Sequence, residues 1–206
     1  MFPTTEAFEL PLFPLQSVLF PDGLLSLKVF EARYLDLVTD SLRDSKPFGV
    51  VALKQGIEGR PQAEAPEFEE IGTVAELIDV DSAQPGILQV RCRGTQRFAI
   101  RNRRRQEDGL WVARARARPL DPAVAPDLAL LDTVKGLANA IATLKAKGSS
   151  PFLPPYRFDD AGWVANRWCE ILPISLAAKQ KLMELPDAAV RLQLVSDFLR
   201  SKGVVK

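Results

Sequence analysis

The hydrophobic pattern changes its period once along the chain, and that change limits the fold more than any single motif. Up to residue 118 the apolar residues alternate or form short runs. Beyond Pro119-Leu120-Asp121-Pro122-Ala123-Val124-Ala125-Pro126 they recur at helical spacing. A switch of period across a proline-rich connector predicts an α+β protein. The expected parts are a mainly antiparallel, curled sheet or small barrel with one helix over residues 1–118, a linker over 119–126, and four helices over 127–206. With 206 residues, 47% of them apolar, either part can bury a core.

In the first part, Leu25-Ser26-Leu27-Lys28-Val29 alternates as a half-buried strand should. Phe30, Tyr34, Leu37, Val38 and Leu42 then fall at helical spacing and predict one apolar helix face. Further strands are expected at Phe48–Leu53, Ile71–Val80, Ile87–Arg93, Gln96–Arg101 and Leu110–Arg118, with an exposed loop over residues 55–70. In the second part, Asp127, Asp159 or Asp160, Ser175 and Asp187 are the expected helix caps.

The chain contains no histidine, which excludes a Ser-His-Asp or Cys-His nucleophile and any histidine-ligated metal. Its two cysteines, Cys92 and Cys169, are too few for a four-thiolate zinc site and read as reduced core thiols. No phosphate-binding loop and no dinucleotide-binding glycine turn is present, so neither cofactor nor metal is expected. Nothing resembles a secretory signal or a membrane span, and a cytoplasmic setting is expected.

A net charge of +1 conceals segregation. Residues 1–90 hold 15 acidic and 6 basic groups, whereas residues 91–120 hold ten arginines and two acids. If Gly94 introduces no bulge, Arg91, Arg93 and Arg97 share one strand face, and Arg114, Arg116 and Arg118 share another. Paired strands would then present an anionic-ligand face, suited to RNA. The competing reading has Glu64, Glu67, Glu69, Glu70, Glu76, Asp79 and Asp81 neutralise it across the same sheet. Separately, the loop from Gly148 to Phe158 carries three aromatics and three prolines between two helices. It either folds back over the helices as a plug or offers Phe152, Tyr156 and Phe158, with Trp111 and Trp163, to an extended apolar segment.

Three consecutive stretches carry a family resemblance: Leu10-Pro11-Leu12-Phe13-Pro14-Leu15, Val18-Leu19-Phe20-Pro21-Asp22-Gly23 and Leu27-Lys28-Val29-Phe30-Glu31-Ala32-Arg33-Tyr34. They resemble the opening signature of the Lon protease N-terminal substrate-binding domain, which reads PLFPL, VLFPG, LxIFExRY. Ile71-Gly72-Thr73-Val74-Ala75 and Gly94-Thr95-Gln96-Arg97-Phe98 are similar to its later strands. Asp22, inserted before Gly23, and Ala32, where proline is frequent, depart from the pattern. The resemblance implies a PUA-like β-barrel followed by a four-helix bundle. It implies a free-standing, non-catalytic module that binds unfolded or client polypeptide, with a proteolytic ATPase as a further partner; RNA, through the arginine face, is the alternative ligand, and no membrane association is expected. In this reading Pro11, Phe13, Pro14, Phe20, Pro21, Phe30, Glu31, Arg33, Tyr34 and Gly72 are mainly structural.

Overall fold

Alternating and continuous apolar segments build six strands in the order they occur in the sequence. The computed structural model describes residues 6–54 and 66–205, and these divide into two compact units, Met1–Leu120 and Asp121–Lys206. The first holds β1 (Ala7–Leu15), β2 (Leu24–Val29), α1 (Ala32–Asp44), β3 (Phe48–Ala52), β4 (Ile71–Gln84), β5 (Ile87–Arg105) and β6 (Trp111–Ala117). Strands run in the order β2-β5-β4-β3-β1-β6, and β6 pairs back onto β5. Five strands therefore close a ring, with β2 attached outside it on β5. All pairings are antiparallel except β1 with β3, so the sheet is mixed.

β1 tolerates two internal prolines because it exchanges partners midway. Pro11 lies opposite Val112 of β6 before the β3 ladder begins, and Pro14 lies opposite Val51 of β3 after the β6 ladder ends. Each proline thus has one edge on which no ladder bond is lost.

Two apolar cores lie on opposite faces of this sheet. Phe13, Val29, Tyr34, Leu37, Val38, Phe48, Val50 and Cys92 belong to one, beneath α1. Leu10, Leu12, Val51, Phe68, Val74, Phe98, Ala113 and Ala115 form the other. Along β1 and β3 the two memberships fall on opposite parities, as a pleated strand requires, and Val74 and Ala75 of β4 likewise face different cores. Along β5 they do not: Cys92 and Phe98 are both even yet serve different cores. The cause is a bulge. Thr73 pairs with Arg97 while Ala75 pairs with Gly94, so β5 spends one more residue than β4 over that interval. Gly94 sits where the chain approaches closely, since an added Cβ would strike the Phe20 carbonyl oxygen. Asp22 N–H donates to the Gly94 carbonyl at 2.8 Å. The two strand signals at Ile87–Arg93 and Gln96–Arg101 are therefore one bent strand.

The second unit holds a 3-10 turn (Leu128–Leu130), α2 (Leu131–Ala146), α3 (Ala161–Ile171), α4 (Leu176–Glu184) and α5 (Ala188–Ser201). Its caps follow the sequence: Asp127 accepts from Ala129 N–H, Asp160 from Trp163 N–H, Ser175 from Ala178 N–H and Asp187 from Ala189 and Val190 N–H. α3 is buried from Ala161 through Cys169, as the central helix of a small unit must be. Residues of the expected linker are tied into this unit. Val124 carbonyl accepts from Ala161 N–H, and Asp121 accepts from Arg191 at 2.8 Å.

Candidate functional site

The alternation that half-buries Leu25 and Leu27 and buries Val29 turns the next residue outward. Phe30 is 65% exposed, and it stands outside the helix because α1 begins at Ala32, with Glu31 at the cap position. Leu42 is exposed as well, so the buried helix face is Tyr34, Leu37, Val38 and Ser41. This corrects the expectation that Phe30 and Leu42 belong to a buried apolar helix face. Other signature residues do fill core: Phe13 stacks on Tyr34 with ring centroids 4.0 Å apart, and Phe20 is fully buried.

Phe30 overhangs a groove of about 400 Å³ in the first unit. Phe13, Val29 and Tyr34 supply its apolar floor, Phe30 and Trp111 its aromatic walls, and Lys28, Arg33 and Arg105 its cations. Among the described residues Glu31 is the one acid lining it. Arg33 holds the walls together. Its Nη2 donates to Glu31 at 2.6 Å and its Nη1 to the Gly109 carbonyl at 3.1 Å, tying the helix start to the β5–β6 turn. The guanidinium also lies 4.8 Å from the Tyr34 ring centroid. Burial raises the Tyr34 hydroxyl pKa, with the Arg33 charge opposing the shift. Trp111 is half-buried, edge-on to Phe68 at 5.6 Å, with Arg103 over the Phe68 ring at 4.3 Å.

A second groove of about 370 Å³ runs along α1, past Asp36, Asp40 and Asp44. Two of these acids are matched: Arg43 reaches Asp40 and Asp44, and Lys46 reaches Asp44. Hydrogen bonds from Arg43 and then Lys46 hold the Asp44 carboxyl down to about 2.

The aromatic loop of the second unit is a plug. Phe152 is 4% exposed and Trp163 2%, so neither offers a surface. Half-buried Tyr156 and Phe158 lean on Trp163 at 5.8 Å and 5.4 Å, and the Lys145 ammonium caps Tyr156 at 4.5 Å. The structure brings these four aromatics into one unit, whereas Trp111 lies in the other.

The proposed arginine face is divided. With the extra residue after Gly94, Arg91 and Arg93 point to one side of β5, while Arg97 shares the opposite side with Arg114 and Arg116 of β6. Arg97 is itself 4% exposed, contrary to an open anion-binding role. Register also sets Glu76 opposite Arg93, Asp79 opposite Arg91 and Glu9 opposite Arg114, which moderates the charge. Arg118 is half-buried and its backbone N–H donates to the Arg97 carbonyl. Glu64 lies outside the described residues.

Sequence reasoning missed Lys28, Phe30 and Arg105 as groove residues. For Phe30 the signal was present: strand parity through Val29 already points the following side chain outward. Arg105 was not legible, because its place depends on the length of β5 and the turn after it.

Both cysteines are buried, and burial pushes each thiol up to about 12, out of the range of a working nucleophile. No helix among the described residues is long and apolar enough to cross a membrane.

Comparison with known proteins agrees with this geometry. The family model for the ATP-dependent protease La (LON) substrate-binding domain matches residues 9–201. The Lon protease of Anaeromyxobacter dehalogenans is 28% identical over 203 residues, which cover 94% of this chain but 23% of that protein. That of Haemophilus influenzae is 23% identical over 199 residues, covering 94% and 24%. The chain thus spans about a quarter of the length of these relatives. Among solved structures, a Lon N-terminal domain protein from Xanthomonas campestris superposes with a TM-score of 0.71 at 31% identity, covering 91% of this chain and 96% of that one. The N-terminal domain of a Mycobacterium avium complex Lon protease gives 0.60 at 15% identity, covering 92% and 97%, a likeness of fold alone. A closed mixed sheet with α1 directly after Phe30 and Glu31, four further helices and a match across nearly the whole chain have one conclusion: this chain belongs to the Lon substrate-binding domain family.

Proposed function

We propose that this chain is a non-catalytic polypeptide-binding module and that the groove beneath Phe30 is where an extended segment docks. Exposure of Phe30 carries the reading. A phenylalanine with most of its surface in water, next to a second aromatic wall and a preformed cleft, is a cost to solubility unless a partner covers it. The ring closed by β6 on β5 supports a PUA-like barrel, and the four helices that follow support a bundle. Its likeness to part of the Lon proteases supports a proteolytic ATPase as the partner, with this chain delivering or holding the client. Buried, reduced thiols suit the cytoplasm. RNA ranks below polypeptide, because the arginines are split between two sheet faces and opposed by acids.

Fluorescence anisotropy with a labelled, reduced and alkylated client protein tests the assignment. Saturable binding is expected, weakened about tenfold or more by Phe30→Ser with an unchanged melting temperature, since removing a buried aromatic contact costs about 1.5–3 kcal/mol. A wild-type protein that shows no saturable binding sinks the proposal.

A further inference from the structure

The groove carries a charge imbalance that selects among polypeptides. Among the described residues three cations line it, Lys28, Arg33 and Arg105, against the acid Glu31. Glu31 is already engaged by Arg33 at 2.6 Å. Arg105 has only a long contact to the Gly109 carbonyl, 3.4 Å from its Nε. Among the described residues neither Lys28 nor Arg105 has a carboxylate partner. The Nε of Arg33 is buried in the wall without an acceptor. These groups surround an apolar floor beside exposed Phe30, so apolar contact and positive charge act on the same short length of any bound chain.

We infer that the groove prefers extended segments in which an apolar or aromatic side chain is flanked by carboxylates, and disfavours those flanked by lysine or arginine. The inference rests on the polypeptide-binding reading and adds the ligand's charge pattern to it. The anchor enters against Phe30, Trp111 and the Phe13–Tyr34 stack, and flanking carboxylates approach Lys28 and Arg105. A basic flank would place like charges together at the rim of a low-dielectric cleft, which discriminates more strongly than the matched flank attracts.

Three labelled peptides with one shared apolar centre and glutamate, glutamine or lysine flanks provide the test. At low ionic strength the glutamate peptide is expected to bind about tenfold tighter than the lysine peptide, with the gap narrowing as salt rises. The double variant Lys28→Glu, Arg105→Glu should reverse the order. Both side chains are exposed, so its melting temperature should stay close to wild type. Equal binding of all three peptides, still weakened by Phe30→Ser, overturns the charge preference while leaving the groove as a polypeptide site. Failure of all three to bind overturns both. Single-stranded RNA that binds tighter than the glutamate peptide, and loses affinity in the double variant, assigns the cations to nucleic acid instead.

Discussion

Gly72 shows how little freedom a single position retains in this sheet. An added Cβ would strike the Val50 carbonyl oxygen and come within 2.8 Å of the Phe98 ring. The first is backbone of a ladder and the second is fully buried, so neither can give way. Gly72→Ala should therefore cost about 1–3 kcal/mol by overpacking, read as a lower urea midpoint with unchanged slope. An unchanged midpoint would mean that β3 and β4 separate more easily than their burial suggests. Phe30 is the opposite case. Its side chain supports no core, so Phe30→Ser should leave folding intact while polypeptide binding weakens.

Arg191 acts at the level of elements. It is 1% exposed on α5, and its guanidinium donates to Asp121, to Asn166 of α3 at 3.1 Å, to the Leu182 carbonyl at 2.9 Å and to the Leu185 carbonyl. One side chain thus joins the start of the second unit, α3 and the end of α4 to α5. Arg191→Met, of similar volume, should lower stability by about 3–5 kcal/mol, because it leaves buried acceptors and Asp121 without their donor. Thermal melts of the variant measure this, and a loss under 1 kcal/mol would show that water replaces the guanidinium. Such long-range ties were not legible in the sequence, where Arg191 sits within a clear amphipathic stripe and reads as an interruption of it. Local features were legible. Capping residues and the strand ending at Val29 follow from short-range sterics and hydrogen bonding. The arginine face failed for a corresponding reason: its parity depended on a bulge that only pairing with β4 reveals.

For the whole molecule, the two cysteines give each unit its own reporter. Cys92 lies in the first unit and Cys169 in the second, and burial raises both thiols to about 12 from the ordinary value of 9.0. A raised folded pKa stabilises the protein below the unfolded value. Above about pH 9 the unfolded chain releases thiol protons that the native state keeps, so stability should fall as pH rises from there toward 12. Cys92→Ala and Cys169→Ala should each flatten part of that decline. At pH 8 a disulfide reagent should leave both thiols intact until denaturant is added, and the order in which they react reports which unit opens first. Immediate reaction of either thiol in the native protein would contradict its burial.

The surplus residue after Gly94 has one more consequence. It acts as a phase-shifter, allowing a single strand to serve two cores in succession, with Cys92 on one side and Phe98 on the other. Deleting Thr95 would remove that surplus residue and turn the side chains that follow it in β5, Phe98 among them, to the opposite face of the sheet. No substitution at that position has the same reach, so this stretch of the chain is constrained in its length more tightly than in its composition.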